Sequence, residues 1–482
     1  MTRMFNWRLV FKTMGVLTTL EALFLLAPTF TAWWYHEADL GAWIVSSAIT
    51  WFCSWWLWMA GRHAERRVGE REGYVIVASV WVVYSLFGML PFWLSGALPS
   101  ITDAWYETMA GFTTTGSTVF TDVAAQTHSI LLWRALMQWL GGMGIIVLSV
   151  AILPMFGLGG MQLYSAEVTG VSYDKLSPRI ADTSRQMWLT YILLTVAEGL
   201  LLWWFGMSRF DAVCHAMATI STGGFATHNN SVIAFSPAIQ WTILIFMLLS
   251  GINFTQLIYA LRGKPRRLLQ DEETRWYVCA CLVAGAILTI GLAIHTHMLS
   301  SIRIGLFTAV ATITSTGFVA ADYMVWPPIL WMIVFFLMFS GGASGSTSGG
   351  MKWVRLAIFA KSAMAEIKRR IHPNAVIPVR FNGLTLREQT TSNVVAFMFF
   401  YVAIIVLASL CFCACGIGFD ESIGVAVSMI GNVGVSIGQW GSSGCYASFP
   451  SVAKWVATFV MLIGRLEIFT VLLLFSRSLW KK

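Results

Sequence analysis

Long apolar runs alternate with short polar segments along most of the chain, and each run is long enough to cross a membrane. A helix rises 1.5 Å per residue, so about 20 apolar residues cross a hydrocarbon core of about 30 Å. The pattern predicts ten membrane-spanning helices, near residues 13–35, 40–60, 74–97, 129–157, 186–206, 237–261, 276–296, 328–351, 391–416 and 452–475. An even number of spans places both termini on one side of the membrane.

Between several spans lie segments that are too short to cross, and these segments resemble one another. DAWYETMAGFTTTGST, residues 103–118, aligns without a gap with DAVCHAMATISTGGFA, residues 211–226, at an offset of 108, so that Gly116 falls on Gly224. A third copy at 309–318 places Gly317 at the same point, and a fourth at 427–436 places Gly434 there. The repeating unit is therefore span, short helix, glycine-containing loop, span.

The predicted fold class is an all-α polytopic membrane protein. Four pseudo-fourfold repeats of helix, pore helix, filter loop and helix surround one ion pore, after two N-terminal transmembrane helices. Repeats with an even number of spans share one orientation, so they can be arranged around an axis along the membrane normal. The predicted units are an N-terminal helix pair at 1–70 and repeats at 71–172, 173–270, 271–375 and 376–482.

The four loops have the composition of a cation filter. Non-helical backbone at membrane depth is tolerated only where it is buried in protein or lines a watery cavity. Loop carbonyls can replace the water around a cation, and glycine allows the backbone angles that aim them inward. The short helices would present their negative ends to the same cation. The alternative is that the glycines only allow close helix packing. The predicted filter residues are Thr114, Thr115, Gly116, Thr222, Gly223, Gly224, Ser315, Thr316, Gly317, Asn432, Val433 and Gly434.

Composition and charge placement exclude a soluble protein and give no support to nucleic-acid binding. The chain is 57% hydrophobic and 11% charged, where globular proteins carry about 25% charged residues. Most of its 31 basic residues lie at the termini or in alternate loops, so the positive-inside rule predicts that both termini are cytoplasmic. The N-terminal apolar run is long enough to span and is predicted to be a retained helix. Whether Cys214 and Cys445, on the predicted outer side, form a disulfide stays open.

Four motifs resemble the Trk/Ktr/HKT family of cation transporters: TTTGST at 113–118, STGGFATHN at 221–229, GNVGVS at 431–436 and GRLEIFTVLLLF at 464–475. The stretch at 138–167 is similar to the bacterial TrkH type in particular. The resemblance covers essentially the whole chain. It implies a potassium-translocating subunit, usually a homodimer with one pore per protomer, controlled by a cytosolic nucleotide-binding ring, TrkA.

The resemblance also implies the ion and its site. In that family a serine in place of the first filter glycine goes with sodium transport in some plant members, whereas Gly116 and its three counterparts are glycine here. Potassium, with rubidium as its surrogate, is the expected ion in the filter, and no covalent cofactor is expected. Nucleotide is expected on the partner rather than on this chain. The implied potassium positions are Thr115, Gly116, Gly223, Gly224, Thr316, Gly317, Val433 and Gly434.

A second candidate element interrupts the span that starts near 328. SGGASGSTSGG, residues 340–350, could not hold a lipid-facing helix, and the family resemblance implies a gate below the filter at Gly341, Gly342, Gly345 and Gly349. A packing kink is the alternative. Arg465 lies inside the last predicted span, where a charge is costly, and the resemblance places it facing the pore. The alternative for Arg465 is an ion pair with a distant acid.

The remaining acids have two interpretations. Asp103, Glu107, Asp122 and Asp211 either raise the cation concentration at the outer mouth or are solvated loop acids. Glu21 and Glu198, at membrane depth, are expected to tie helices together.

The predicted function is potassium uptake across the bacterial inner membrane by conduction, gated by the intramembrane loop and a TrkA-type partner. A sodium- or proton-coupled symporter is the alternative. No catalytic constellation occurs, so an enzyme is not expected. The basic segments Arg262–Arg267 and Lys352–Arg370 are candidate docking surfaces for the partner, and anionic lipid is their alternative ligand.

Overall fold

A computed structural model describes residues 5–64, 69–144, 180–294, 297–442, 444–477 and 480. This part of the chain is mostly helical, which confirms the prediction of a helical chain with several membrane-length apolar segments. Its helices are α1 (Trp7–Trp34), α2 (Leu40–Ala60), α3 (Glu70–Gly88), α4 (Leu90–Leu94), α5 (Ile101–Phe112), α6 (His128–Gly142), α7 (Ile180–Trp204), α8 (Arg209–Ile220), α9 (Pro237–Ser250), α10 (Phe254–Leu261), α11 (Pro265–Gln270), α12 (Glu272–Ala293), α13 (Met298–Ile313), α14 (Pro328–Leu337), α15 (Trp353–Ile371), α16 (Glu388–Ala414), α17 (Phe419–Gly431), α18 (Ser451–Arg465) and α19 (Ile468–Phe475).

Short elements complete the described secondary structure. A two-residue hairpin pairs β1 (Arg380–Phe381) with β2 (Leu384–Thr385) in antiparallel register, between α15 and α16. Turns of 3-10 helix occur at Tyr323–Val325, Gly438–Trp440 and Tyr446–Ser448.

Helices α1 and α2 pack closely because small residues line their contact. A Cβ on Gly15 would lie 2.6 Å from the backbone nitrogen of Trp58, so only glycine permits this approach. The hydroxyl of Ser54 donates to the carbonyl of Gly15 at 2.9 Å. Small residues and hydroxyl hydrogen bonds are typical of helix contacts in membranes, where lipid is as apolar as leucine.

The structure contains six described helical segments that are long and apolar enough to cross a membrane: Trp7–Trp34, Leu40–Ala60, Arg71–Leu94, Asp182–Trp204, Glu272–Ala293 and Glu388–Ala414. Two further helix pairs reach that length together but are bent. The bend is 106° between α9 and α10 and 112° between α18 and α19.

These bends correct the prediction of continuous spans at 237–261 and 452–475. Between α9 and α10, the side chain of Asn253 accepts a hydrogen bond from the N–H of Thr255 at 2.8 Å and caps a new helix. Between α18 and α19, Glu467 has a φ of +59°, which lies outside the right-handed helical region. Mean hydropathy over a window does not detect such breaks, because the residues on both sides of the break are equally apolar.

Two other predicted spans are helical only in part. The span at 328–351 is helical as α14 and then continues without helix through residues 340–350, in agreement with its glycine content. The span at 129–157 begins as α6, which ends at Gly142, and its second half lies outside the described residues.

Four short helices, α5, α8, α13 and α17, lie inside the molecule. α5 is buried from Tyr106 to Phe112 and α17 from Gly424 to Gly431. The N-terminal ends of α5 and α8 are capped in the same way, since the hydroxyls of Ser100 and Ser208 each accept a hydrogen bond from the backbone three residues later. Each of the four short helices leads into one of the glycine-containing loops.

Candidate functional site

The four short helices end in the same backbone turn. After α5, the N–H of Thr114 bonds to the carbonyl of Gly111 at 3.0 Å, and the N–H of Thr115 bonds to the carbonyl of Ala110 at 2.9 Å. This pair of bonds is a Schellman closure, which satisfies carbonyls that a helix end leaves without partners. The same two bonds close α8 at Thr222 and Gly223, α13 at Ser315 and Thr316, and α17 at Asn432 and Val433.

The closures place residues with side chains where glycine is usual. φ is positive at four equivalent positions: 53° at Thr114, 52° at Thr222, 54° at Ser315 and 52° at Asn432. A non-glycine residue in this left-handed region costs on the order of 1–3 kcal/mol. Four equal departures indicate that the surrounding packing imposes the turn on each loop.

Two residues after each of these positions, a glycine of one loop lies against a carbonyl of the next loop. A Cβ on Gly116 would lie 2.2 Å from the carbonyl oxygen of Gly223, and a Cβ on Gly224 would lie 1.9 Å from that of Thr316. In the same way, a Cβ on Gly317 would lie 2.0 Å from the carbonyl oxygen of Val433, and a Cβ on Gly434 would lie 2.1 Å from that of Thr115. The contacts pass from the first loop through the fourth and return to the first, so the four loops form a closed ring.

The structure brings all twelve predicted filter residues into this ring. Nine of them are buried, and three glycines are partly exposed: Gly116, Gly224 and Gly317. Glycine is required here twice over, because φ is positive (78° at Gly116 and 89° at Gly434) and because the neighbouring carbonyl fills the space of a side chain.

Hydroxyl and amide groups stiffen the loops from within. The hydroxyls of Thr113 and Thr115 lie 2.8 Å apart, and those of Thr314 and Thr316 lie 2.7 Å apart. In the fourth loop the amide of Asn432 donates to the hydroxyl of Thr115 at 2.9 Å. The fourth loop is thereby bonded to the first.

Two carbonyls at predicted potassium positions already accept a hydrogen bond from the protein. The amide nitrogen of Gln138 donates to the carbonyl of Gly223 at 2.7 Å, and the hydroxyl of Tyr446 donates to the carbonyl of Gly434 at 3.2 Å. A carbonyl oxygen has two lone pairs, so either group can be held from behind and still face a cation.

The glycine-rich loop, residues 340–350, lies directly against the ends of three short helices. The N–H of Gly349 donates to the hydroxyl of Ser315 at 2.7 Å, and a Cβ on Gly349 would lie 2.6 Å from the carbonyl oxygen of Gly431. The hydroxyl of Thr347 donates to the carbonyl of Ile220, the last residue of α8, at 3.0 Å. The loop therefore touches the second, third and fourth units of the ring.

The other predicted gate glycines have separate places in this loop. Gly341 packs against the returning arm, since a Cβ on it would lie 2.2 Å from the carbonyl oxygen of Gly349. Gly342 donates from its N–H to the hydroxyl of Ser348 at 2.8 Å. Gly345 is exposed at the tip, with a φ of +73°. The loop is a tight hairpin rather than an open chain.

Two charged side chains anchor the glycine-rich loop. One carboxylate oxygen of Glu273 accepts from the N–H of Ser344 at 2.6 Å and from the N–H of Val354 at 3.0 Å. The ammonium of Lys352 donates to the carbonyl of Ser348 at 2.6 Å. Hydrogen bonds to charged groups are stronger than neutral ones, so these contacts hold the loop in this conformation.

Arg465 joins the glycine-rich loop to the end of α6. Its guanidinium donates to the carbonyl of Thr347 at 2.8 Å, and to the carbonyls of Gly141 and Gly142 at 2.6 and 2.9 Å. The planar guanidinium spreads five N–H donors over three nitrogens, so it reaches carbonyls on both of its sides, whereas the three donors of an ammonium share one nitrogen. The next acid along the chain, Glu467, pairs instead with Arg355 of α15.

Comparisons with known proteins show the family and the fold. A profile of the TrkH family, described as cation transport protein, matches residues 42–482. The chain belongs to the TrkH family. Two TrkH relatives, each called Trk system potassium uptake protein TrkH, are 36% identical to this chain. The protein of Halomonas elongata covers 98% of this chain and 99% of its own length, and that of Escherichia coli K12 covers 99% and 100%.

The fold of the TrkH family is shown by a solved structure as well. The crystal structure of the potassium transporter TrkH from Vibrio parahaemolyticus has a TM-score of 0.89 and 32% sequence identity, and covers 99% of this chain and 100% of that one. The TrkH family is a family of transporters, so the predictions of a membrane transporter and against an enzyme are confirmed.

One acid of this TrkH member lies in a different place from the one predicted from the sequence. Glu107 was expected at the outer mouth or in solvent, but it is fully buried and pairs with Arg134 at 2.8 Å. Asp103, one turn earlier on α5, pairs with Lys454 at 2.6 Å. Spacing along the chain could not show these pairs, because each basic partner lies on another helix, 27 residues from Glu107 and 351 residues from Asp103.

The other acids keep distinct surroundings. Asp122 is exposed, and the hydrogen bond from the amide of Asn229 lowers the pKa of its carboxyl group. Glu21 and Glu198 are buried, and the carboxylate of Glu21 has no hydrogen-bond partner within the described residues. Their expected role in tying helices together stays a prediction. The thiols of Cys214 and Cys445 are both free.

Sequence reasoning also missed three residues that support the ring: Arg134, Gln138 and Tyr446. Arg134 carried a signal, because a charge inside a predicted span is costly and marks a specific partner. Gln138 and Tyr446 carried none that a single sequence displays.

Proposed function

We propose that the chain carries potassium across the inner (cytoplasmic) membrane by conduction through the ring of four loops. Relatives that match nearly the whole chain are called potassium uptake proteins. The observation that carries the proposal is the closed ring, in which each loop glycine lies within van der Waals distance of the next loop's carbonyl. Such a ring presents backbone oxygens to one central ion.

In this proposal the ion exchanges its hydration shell for loop oxygens. The carbonyl oxygens of four residues lie where the glycine contacts occur: Thr115, Gly223, Thr316 and Val433. The ends of the four short helices add partial negative charge on the same side. In this proposal the four loop glycines allow the backbone angles that aim the carbonyls inward, as predicted from the sequence, and they also let the loops approach one another. These glycines are Gly116, Gly224, Gly317 and Gly434.

The glycine-rich loop is proposed as the gate of this path. Its contacts with Ser315, Gly431 and Ile220 place it against the ring, and its anchors Glu273 and Lys352 are charged groups that a conformational change can release. Arg465 is proposed to stabilise the closed form, because it binds the loop at Thr347 and α6 at Gly141.

Regulation and assembly follow the family resemblance. We propose a homodimer with one pore per protomer, cytoplasmic termini, and control by a TrkA-type nucleotide-binding protein that docks on the segments Arg262–Arg267 and Lys352–Arg370. The last turn of α15 supports a basic surface, since Lys368, Arg369 and Arg370 lie there. The repeat boundaries at 71–172, 173–270, 271–375 and 376–482 stay predictions.

Uptake of rubidium and sodium into proteoliposomes that hold the purified protein tests the proposal. With a voltage imposed, and with neither added sodium nor a pH gradient, rubidium is expected to enter. Uptake that requires a second ion gradient would replace conduction by symport. Absence of rubidium uptake under every gradient would contradict a potassium path.

A further inference from the structure

A buried ion pair lies behind the ring at the junction between its first and second loops. Glu107 of α5 and Arg134 of α6 are 0% and 2% exposed, and their side chains meet at 2.8 Å. Withdrawing two charges from water is costly, and the attraction between them offsets that cost only if the remaining hydrogen-bonding groups also find partners. The partners in this case are groups of the two loops.

Glu107 holds the segment that follows the first loop glycine. Its carboxylate accepts a hydrogen bond from the hydroxyl of Thr118 at 2.9 Å and another from the N–H of Val119 at 2.8 Å. With the bond from Arg134, both carboxylate oxygens are occupied. The carboxylate thereby fixes the chain two and three residues beyond Gly116.

Arg134 and Gln138 hold the second loop from the same face of α6, because they are one turn apart. Arg134 donates to the carbonyl of Ala226 at 3.0 Å, and its guanidinium lies 4.1 Å from the ring centre of Phe225. Gln138 donates to the carbonyl of Gly223 at 2.7 Å and accepts from the N–H of Phe225 at 3.0 Å. Two side chains therefore hold three backbone groups around Gly224. These are the carbonyl of Gly223 before it, and the N–H of Phe225 and the carbonyl of Ala226 after it.

Within the described residues, the acid of this arrangement has no carboxylate counterpart at the second junction. The offset of 108 between the first two units places His215 where Glu107 stands. His215 lies 2.9 Å from the carbonyl of Asp211 on its own helix, and its ring stacks on Phe318. The polar support of the first and second loops is thus asymmetric within the ring.

We propose that Glu107, Arg134 and Gln138 form a bracket that sets the preference for potassium over sodium by fixing the first two loops from behind. The inference rests on the proposed function. In the account that attributes selectivity to cavity size, a ring of carbonyls favours the larger ion because its oxygens are kept from closing around the smaller one. The bracket acts on the backbone on both sides of Gly116 and Gly224, so its residues position the ion-facing groups without touching the ion.

The test compares two isosteric changes with a matched control in proteoliposomes. Glu107→Gln removes the charge, and Gln138→Leu removes both bonds to the second loop. Gln240→Leu is the control, because Gln240 is a buried glutamine of α9 that donates to the carbonyls of Val232 and Phe235, outside the ring. Rubidium and sodium fluxes and the melting temperature are measured for each protein.

Both bracket variants are expected to lower the rubidium-to-sodium flux ratio by about tenfold, about 1.4 kcal/mol of discrimination, while the control keeps the wild-type ratio. A purely structural role would lower the melting temperature and both fluxes together at a constant ratio, and would overturn the proposal. If Glu107→Gln does not fold, Gln138→Leu decides, and failure of both to fold counts as the structural outcome. Absence of rubidium flux in the wild type and the control would instead reject the proposed function.

Discussion

Single residues of the ring are constrained by their neighbours rather than by their own helices. Gly116, Gly224, Gly317 and Gly434 each lie against a carbonyl of another loop, so a side chain at one position displaces an oxygen of the next unit. Serine at Gly116 would therefore act on Gly223, which lies more than 100 residues away along the chain. We therefore expect any effect of such a substitution on ion preference to have a steric cause.

Gly116→Ser is expected to lower the rubidium-to-sodium flux ratio, because its Cβ would lie 2.2 Å from the carbonyl oxygen of Gly223. Gly96→Ser is the matched control. Gly96 has a φ of +77°, against +78° at Gly116, and a Cβ on it would meet no atom within 4 Å. Both variants carry the same backbone strain, so proteoliposome fluxes separate strain from contact with the ring. Equal ratios in the two variants would remove Gly116 from the filter.

Arg465 provides a second test with a single side chain. Arg465→Ala is expected to raise rubidium flux, since three hydrogen bonds between the glycine-rich loop and α6 are lost with the positive charge. Arg465→Lys keeps the charge but cannot hold carbonyls on both sides, so it is expected to give an intermediate flux. Loss of folded protein in both variants, measured by size-exclusion chromatography, would favour a purely structural role.

Helices and loops depend on one another through close backbone contacts. α6 approaches the end of α5 so closely that a Cβ on Gly141 would lie 1.8 Å from the carbonyl oxygen of Phe112. α18 approaches α17 in the same way, with 2.2 Å between a Cβ on Gly464 and the carbonyl oxygen of Ile430. These glycines let the short helices lie within the protein, where their ends are covered by backbone rather than by lipid.

The glycine-rich loop is held by Glu273, and this contact can be tested. Glu273→Ala is expected to raise rubidium flux in the absence of any partner, because Ser344 and Val354 lose the acceptor of their N–H groups. Glu273→Gln keeps an acceptor oxygen and is expected to change the flux less. Each lost charge-assisted bond is worth about 1.5–3 kcal/mol.

The control for Glu273 is its neighbour on α12. Glu272 accepts a hydrogen bond from the N–H of Asn382, beside the hairpin β1–β2, and pairs with Lys361 of α15. It is 18% exposed and does not contact the glycine-rich loop in the described structure. Glu272→Ala is therefore expected to keep the wild-type flux. Equal increases in both variants would assign the effect to α12 as a whole.

At the scale of the whole molecule, the distribution of charge predicts the orientation in the membrane. Epitope tags at the N-terminus and at the C-terminus are expected to be protected from protease in intact spheroplasts, because the basic segments lie on the same side as both ends. A tag inserted at Gly96, which has open space around it, is expected to be cleaved. Cleavage of a terminal tag in intact spheroplasts would reverse the predicted topology.

The extent of sequence-based prediction differs between parts of the molecule. The helical membrane fold, the family and the absence of enzymatic chemistry were correct, since they depend on apolar length, charge content and motifs. The loop residues were named from four aligned glycines, and the structure places them in one ring, although ion binding there stays a prediction. The bends at 251–253 and at Glu467 were missed, because hydropathy averages over residues on both sides of a break.

The sequence by itself determined the segments that enter the membrane, the fourfold recurrence of glycine and the concentration of basic residues in alternate loops. These properties are local or additive, so they can be counted along the chain. Only the tertiary structure decided that Glu107 meets Arg134, that Gln138 supports Gly223 and that Arg465 binds Thr347. These pairs come from helices and loops brought together by packing, and nothing in the spacing of residues specifies which of many possible partners a buried charge will find.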